Sequence, residues 1–557
     1  MQIIIPMSGF GERFRAAGYS VPKPLIEVEG KPIIAHVIDM FPGETNFFFI
    51  CNQEHLDEQS FHMKEILQAY CPTGRVIGIS PHKLGPIHAV FQIEALLNPD
   101  EQTVVSYCDF TCYWDWSHFK KFVNNNNCAG VIPAYKGFHP HTLGNTNYAY
   151  LRETNGLVTD IQEKKPYTDN RMEEYASSGT YYFRSAKLML ESFQEVLEKD
   201  LNVGGEYYVS LAYKSLIENN FPVTVYPLQH FMQWGTPEDL AEYVSWSNLF
   251  KKLLLPQDHA TTPWGSLIIP MAGLGQRFAK EGYEIAKPLI PVFGTPMVVR
   301  AANDLPVSMS HVFVLRADMA GVEDVSEELQ ASFKDCIIKK IGSVTEGQAC
   351  TALIGLDVLE ESGKLVEPIT IGACDNGVLF DKNLFKKIIE DPDIDVIVWG
   401  VRGYPNASRY PQMYGWVETD GDNRIKSVSV KEPLGNPKTT PIILGAFTFR
   451  HADDFRHSVQ RLIKRDGRVN GEFYIDSCIN DAIALGLRCQ LLEVDHYLCW
   501  GTPNDLKTFE YWQSCFHKWR SHPYSLKEDK RIPQNQISEL EKKYEALIPD
   551  FLGINYA

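Results

Sequence analysis

The chain has 557 residues, 44% apolar and 22% charged, the make-up of an ordinary globular protein rather than of a disordered or membrane-embedded one. A formal net charge of −17 argues against nucleic-acid or anionic-membrane partners and leaves room for local basic pockets that hold phosphates. Twelve cysteines without CxxC pairs or zinc spacing, no basic segment before the first apolar run and no membrane-length apolar stretch predict a cytoplasmic protein with reduced thiols.

In chain order, the apolar run Ile3–Met7 predicts a buried strand that enters the loop Ser8-Gly9-Phe10-Gly11-Glu12-Arg13-Phe14. Gly9 and Gly11 allow backbone N–H groups to approach a phosphate, and Arg13 adds a cationic fork. A dinucleotide fingerprint would need a third glycine where Phe14 stands, and a Walker loop would end in Gly-Lys-Ser/Thr. Lys23-Pro24-Leu25 follows, and then apolar runs alternate with helical patterns: PIIAHVIDMF, NFFFICN, residues 57–70, RVIGIS, residues 87–97 and TVVSYCD. Strands alternating with helices predict βαβ units and a mostly parallel sheet, hence a Rossmann-like α/β domain. Asp109 stands at the end of TVVSYCD, where a carboxylate outside the carboxyl end of a parallel strand faces bound phosphates and their Mg²⁺. The run Asn124–Asn127 reads as a loop. Further on come Glu-Lys-Lys-Pro at 163–166, Gly179 in SSGTYYF, Glu206 in GGEYY, and Trp234-Gly235-Thr236-Pro237.

The segment LPQDHATTPWGS (255–266) reads as a linker, and after it the main motifs return. Gly9 and Gly11 recur as Gly273 and Gly275, Arg13 as Arg277 and Lys23 as Lys287, all 264 residues on. Asp109 recurs as Asp375 and Glu206 as Glu472 after 266 residues, Lys164 as Lys431 after 267, and Trp234–Pro237 as Trp500–Pro503 after 266. A near-constant offset of domain length indicates a tandem duplication, with domains at 1–254 and 267–515. Residues 516–557 have no counterpart and form an extension in which SELEKKYEALIPDFL (538–552) predicts a helix.

The GxGxRF loop, Lys-Pro-Leu, strand-end Asp and late Gly-Thr-Pro, each present twice, resemble the sugar-1-phosphate nucleotidyltransferases, or nucleoside-diphosphate-sugar pyrophosphorylases, over roughly 1–245 and 265–512. The resemblance implies two tandem GT-A-like domains and Mg²⁺-dependent transfer of a nucleotidyl group from an NTP to a phosphorylated small-molecule acceptor. It makes Arg13, Lys23, Arg277 and Lys287 the catalytic cations, Gly9, Gly11, Gly273 and Gly275 the triphosphate loop, and Asp109 and Asp375 the metal ligands. It assigns base contacts to Gly85 in LGPIHAV and to Gly347 and Gln348 in TEGQACTA. It assigns acceptor contacts to Lys164 and Lys431, with Lys165 the other register in the first copy, to Gly179 and Gly445, and to Glu206 and Glu472, which also suit a metal contact or a buried structural role. The family's second metal Asp, two residues before the late Gly-Thr, is Gln233 in one copy and Cys499 in the other.

The WGTP and PMSGFGERF forms resemble the branch found with capsule and surface-polysaccharide genes. The alternatives are a GT-A glycosyltransferase, whose DxD motif neither CDFT nor CDNG supplies, and one catalytic copy beside a sensing or structural one. Homo-oligomerisation is left open.

Overall fold

The computed structural model describes residues 1–228, 230–255 and 263–545. Residues 256–262 of the expected linker and 546–552 of the expected C-terminal helix lie outside the described residues; the rest of that helix is seen as Ile537–Glu545. The chain forms two compact units. The first comprises Met1–Lys251, Tyr511–Ser525 and, among the described residues, 538–545; the second comprises Lys252–Glu510 and Leu526–Ile537.

In the first unit the central strands are β1 (Gln2–Met7), β2 (Phe47–Asn52), β3 (Arg75–Ile79), β4 (Thr103–Ser106), β5 (Gly130–Tyr135), β6 (Thr180–Phe183) and β7 (Val223–Pro227), side by side in the order β3-β2-β1-β4-β6-β5-β7. Of these seven, β6 runs antiparallel to its neighbours and the others pair in parallel. Strands Ala149–Thr154, Leu157–Glu163 and Tyr175–Ser177 extend the sheet to ten. Helices cover both faces, so β1 presents no alternation: Ile3, Ile4 and Ile5 are all fully buried, as the unbroken apolar run requires.

The second unit repeats this order. Its strands β8 (Ser266–Met271), β9 (Ser310–Arg316), β10 (Ile337–Ile341), β11 (Ile369–Ile371), β12 (Val396–Val401), β13 (Ile442–Phe449) and β14 (Cys489–Glu493) lie in the order β10-β9-β8-β11-β13-β12-β14, with β13 antiparallel. The register repeats as well: Ile4 faces Phe48 and Val105, and Ile268 faces Val312 and Ile371.

Because β1 to β3 are laid down to one side and β4 to the other, strand order reverses between β1 and β4, and between β8 and β11. Crevices at the carboxyl ends of strands on either side of such a reversal are where open α/β sheets bind ligands. The Asn124–Asn127 run is partly helical: Asn124 and Asn125 close the helix Trp116–Asn125, and the turn occupies Asn126 and Asn127, whose φ of 44° suits asparagine. In the first unit Trp519 packs its ring 5.2 Å from His36 and 6.0 Å from Trp234. Among the described residues no helix is long and apolar enough to cross a membrane.

Candidate active sites

The loop after β1 and the loop after β4 meet at the reversal point. Gly11 adopts a left-handed φ of 63° and opens the short helix Glu12–Ala16; a side chain at Gly9 would meet nothing within 4 Å. Gly9 therefore contributes bare backbone to an open wall, which is what close approach of a phosphate needs. Across from it Lys23 Nζ lies 2.8 Å from Asp109 Oδ2. In the second unit Gly275 has φ 61°, and Lys287 Nζ lies 2.5 Å from Asp375 Oδ2 and donates to the Gly501 carbonyl at 3.2 Å. Burial disfavours both ammonium groups, but the facing aspartates outweigh it and hold the lysines above their usual value. Burial also pushes the neighbouring Cys108 and Cys374 thiols up to about 12, so neither is a nucleophile at neutral pH.

Each aspartate is positioned by a second strand pair. Phe110–Tyr113 pairs with His230–Gln233 so that Gln233 faces Phe110, and Trp234 N donates to the Asp109 carbonyl at 2.8 Å. Asn376–Leu379 pairs with His496–Cys499 so that Cys499 faces Asn376, and Trp500 N donates to the Asp375 carbonyl at 2.9 Å. The glycine after each tryptophan approaches the aspartate: a Cβ on Gly235 would lie 3.3 Å from Asp109 Oδ2, and one on Gly501 3.4 Å from Asp375 Oδ2.

The two departures from the family pattern have different surroundings. Gln233 is 8% exposed; its Nε2 donates to Asp239 Oδ1 at 2.7 Å, while Oε1 is buried with no hydrogen-bond partner among the described residues. Asp239 is held in turn by a capping box with Thr236, whose Oγ1 donates to Oδ2 at 2.7 Å and accepts from Asp239 N at 3.2 Å. Thr502 and Asp505 form the same box in the second unit. There burial keeps the Cys499 thiol protonated.

In the first unit these groups line one cavity of about 570 Å³, together with Arg13, Gly85, Lys164, Gly179 and Glu206. Gly85 (φ 88°) is pressed on the chain, since a Cβ would lie 2.7 Å from Tyr207 N; Gly347 (φ 142°) faces Phe473 N at 2.4 Å in the same way. These glycines thus clamp the LGP and TEGQ segments to the GEYY and GEFY segments, and Gln348 opens the helix Gln348–Glu361 beside the clamp. Lys164 and Lys431 are both left-handed, with φ 57° and 68°, a conformation that costs about 1–3 kcal/mol for a residue other than glycine. In both units it lays the ammonium over a tyrosine ring, Lys164 at 4.3 Å from Tyr208 and Lys431 at 5.6 Å from Tyr474. Lys164 Nζ also donates to Tyr208 Oη at 2.5 Å, and Tyr208 Oη donates to Glu206. Lys165, the other register, is exposed and absent from the cavity wall. Gly179 (φ 91°) and Gly445 (φ 72°) turn the chain beside each aspartate loop, and the Gly179 carbonyl accepts from Tyr107 N at 3.0 Å.

Sequence reasoning missed Glu163, Tyr208 and Ser177, which line the same cavity. It also missed Arg316, 7% exposed, whose guanidinium donates to the Ala272 and Gly273 carbonyls at 3.2 and 3.0 Å behind the second loop. A tyrosine two residues beyond each conserved-spacing glutamate, GEYY against GEFY, was the available signal for Tyr208. Nothing in the local pattern marked Arg316.

Comparison with known proteins agrees with this geometry. The nucleotidyl transferase family model matches residues 2–206. The bifunctional protein GlmU of Bacillus cereus is 26% identical over 233 residues, 41% of this chain and 47% of that protein, and GlmU of Bacillus thuringiensis matches to the same extent. The chain thus spans about half the length of these curated relatives. Among solved structures, a nucleoside-diphosphate-sugar pyrophosphorylase from Vibrio cholerae RC9 covers 44% of this chain and 98% of its own, at 21% identity and TM-score 0.37. The inositol-1-phosphate CTP transferase of T. maritima covers 43% and 90%, at 16% identity and TM-score 0.34. The family model thus spans the glycine loop, Lys23, Asp109 and Lys164 of the first unit's site.

Proposed function

We propose that each unit transfers a nucleotidyl group from an NTP to a phosphorylated small-molecule acceptor, a sugar phosphate or a similar phosphometabolite, with release of pyrophosphate, and that the two units use different acceptors. The observation that carries this reading is the lysine–aspartate pair at the strand-order reversal, opposite a bare-backbone glycine loop, formed by Lys23 and Asp109 and again by Lys287 and Asp375. An acceptor phosphate oxygen forms a bond to the α-phosphorus as the bond to the bridging β-phosphate oxygen breaks, and pyrophosphate leaves with that electron pair. No covalent enzyme intermediate is needed, so the protein supplies positioning and charge.

Lys23 and Asp109 neutralise one another; a triphosphate offers Lys23 other anionic partners and frees Asp109 Oδ2 for a cation. Arg13 and Lys23 then offset negative charge that grows on the transferring and leaving phosphates, and Lys164 holds the acceptor phosphate. The donor set suits Mg²⁺, which takes one or two carboxylates plus phosphate oxygens. Asp109 would supply the carboxylate, and Gln233 Oε1, on the strand residue opposite Phe110 and without a hydrogen-bond partner among the described residues, is a neutral oxygen able to complete the set. When bound, Mg²⁺ would supply charge neutralisation to the triphosphate. The resemblance of the WGTP and PMSGFGERF segments to the capsule-associated branch supports a role in making activated surface-polysaccharide precursors in the cytoplasm.

The test is pyrophosphate release from each of the four NTPs against a panel of phosphorylated sugars and small phosphometabolites, with and without Mg²⁺. Metal-dependent release with some NTP–acceptor pair is the expected result. Sugar transfer from a nucleotide sugar without pyrophosphate release would favour the glycosyltransferase reading. Activity confined to one unit would favour a sensing or structural role for the other.

A further inference from the structure

In each unit the site lysine is followed by a two-residue turn whose backing includes residues from the C-terminal extension. Lys23-Pro24-Leu25 runs into Val28-Glu29-Gly30-Lys31, where Val28 pairs with Lys31 and both central residues are left-handed, with φ 49° and 75°. Lys287-Pro288-Leu289 runs into Val292-Phe293-Gly294-Thr295, where Val292 pairs with Thr295 and φ is 53° and 72°. Glutamate and phenylalanine seldom adopt that conformation, so it persists only where surrounding packing holds it.

In the first unit the backing is Trp519, which is buried with its ring against those of His36 and Trp234. His36 holds the turn: its Nε2 lies 2.7 Å from the Val28 carbonyl, which can only accept, and burial keeps the ring neutral by lowering its pKa to about 4. Trp234 holds the aspartate, through the bond from its N–H to the Asp109 carbonyl. Trp519 thus leans on a support of the lysine segment and a support of Asp109 at once. Beside it Glu29 is fixed by Tyr243 Oη and Ser247 Oγ, which donate to Oε1 at 2.9 and 2.5 Å, and by Lys251 Nζ, 2.6 Å from Oε2. His522 Nε2, also from the extension, stands 3.1 Å from Ser247 Oγ.

In the second unit the backing is Arg531. Its guanidinium lies 5.8 Å from the Phe293 ring, and Nη1 lies 3.7 Å from Asp304 Oδ2. Asp304 closes the helix Met297–Asp304 and accepts from Arg300 Nη2 at 2.7 Å. It also touches the strand that follows the site aspartate: a Cβ on Gly377, two residues after Asp375, would lie 2.3 Å from Asp304 Oδ2 and 2.7 Å from the Trp500 ring. Phe293 meets Trp500 edge to face at 6.5 Å, and Trp500 N donates to the Asp375 carbonyl. Gln536 covers the turn, since a Cβ on Gly294 would lie 2.7 Å from Gln536 Cβ. A guanidinium so enclosed is costly unless paired, and its pair with Asp304 sits behind both the lysine turn and the aspartate strand.

Resting on the nucleotidyl-transfer reading, we propose that the C-terminal extension is part of the machinery of both sites: Trp519 is a positioning residue for Lys23 and Asp109, and Arg531, through Asp304, for Lys287 and Asp375. Each braces the turn after the lysine against the tryptophan that holds the aspartate, so ammonium and carboxylate are kept at contact distance before substrate arrives. Loss of either brace loosens its own pair, which slows transfer without weakening the hold on either substrate.

The first experiment needs no turnover. Limited labelling of the full chain with acetic anhydride, read peptide by peptide by mass spectrometry, measures how far each lysine is shielded by its ion pair, and Asp109→Ala, which removes the partner of Lys23 outright, sets the scale. Trp519→Leu is expected to raise labelling of Lys23 by about threefold or more and to leave Lys287 unchanged, and Arg531→Met to do the reverse. Trp519→Phe, which keeps a ring on His36, should fall between wild type and Trp519→Leu, and serves alone if the latter does not fold. Arg531→Lys, which keeps a cation beside Asp304, should restore most of the shielding of Lys287. The second experiment is kinetic, with Asp375→Ala to read the first site and Asp109→Ala to read the second. Trp519→Leu and Arg531→Met should each lower kcat of their own site by about tenfold, with both KM values changed less than about twofold. Unchanged labelling of Lys23 in Trp519→Leu and of Lys287 in Arg531→Met, with native circular dichroism, overturns the inference, and so does an equal rise at every lysine, which marks a loosened fold. Selective labelling by a wild-type and variant set in which no NTP yields pyrophosphate upholds the positioning and overturns the underlying reading instead.

Discussion

The two units are alike at the lysine–aspartate pair and the glycine loop and different in what surrounds them. Lys23 and Asp109 match Lys287 and Asp375 in partner and geometry, and the glycine loops share the same left-handed turn. Behind the loop, however, Arg316 ties the Ala272 and Gly273 carbonyls where the first unit has Asn52, whose Nδ2 is buried without a partner among the described residues. Beside the loop of each aspartate, an amide in one unit stands where the other has a protonated thiol. Phosphate chemistry is the same for every substrate and tolerates few solutions, whereas pocket walls determine which molecule is accepted. A duplicated domain that keeps the first and changes the second has the form of two specificities, not of one activity doubled.

The largest expected effect separates the sites outright. Asp109→Ala and Asp375→Ala should each lower one of two activities by about a thousandfold while leaving the fold intact, because each removes the carboxylate that pairs with Lys23 or Lys287 and that the proposed function requires. Assays of both variants over one NTP and acceptor panel then compare the units directly. Matching acceptor profiles would mean duplication without divergence, and total loss in either single variant would mean coupled sites or a single catalytic one.

A second test asks whether the clamp between base and acceptor segments is common to both units. Gly85→Ala and Gly347→Ala place a methyl within 2.7 and 2.4 Å of the Tyr207 and Phe473 nitrogens, at a φ that alanine avoids. Each should lower stability by about 2–4 kcal/mol, read as a fall in melting temperature. Gly9→Ala meets nothing within 4 Å and should leave melting unchanged while weakening NTP binding. Equal melting temperatures for Gly9→Ala and Gly85→Ala would show that no such clamp exists.

How far the sequence revealed this molecule follows from which interactions are local. The βαβ pattern and the loop, lysine and aspartate of each site were legible because unbroken apolar strands and glycine turns leave a mark within a few residues. The repeat supplied their register. The meeting of Gly415 with the Asp476 carboxylate was invisible because they come from different elements, a strand and a helix start, brought together only when the sheet forms. Arg316 carried no local mark, because its partners are carbonyls 43 and 44 residues away. The capping box of Thr236 and Asp239 was readable as Thr-Pro-Glu-Asp, yet its second task, orienting Gln233, needed the strand pairing to be seen.

The loop support offers a smaller difference to exploit. Arg316→Asn gives the second unit the residue of the first and removes two hydrogen bonds to the loop carbonyls. The NTP KM of the second site should rise about tenfold, since a charged hydrogen bond to a buried acceptor is worth about 1.5–3 kcal/mol, while the first site is unaffected. An unchanged second-site NTP KM would remove Arg316 from the account of the difference between the loops.

The subtlest contrast is in pH. Burial raises the Asp476 carboxyl to about 6, with Lys431 opposing and with Tyr474 and Cys478 the other titratable groups that face it. An unfolded aspartate titrates near 3.9, so between that value and about 6 the folded chain holds a proton that the unfolded chain has lost. The stability this group contributes is therefore fully present below pH 4 and is lost as pH rises through about 6. Asp476→Asn, which cannot ionise, should melt higher than wild type at pH 7.5, by about 1–3 kcal/mol in stability, and should show no such gain at pH 4. The cost of this burial is local, since a Cβ on Gly415 would lie 2.2 Å from Asp476 Oδ2 and the carboxyl fills the space that a side chain there would take. Equal melting of wild type and Asp476→Asn at pH 7.5 would show that burial does not hold this carboxyl above its usual range.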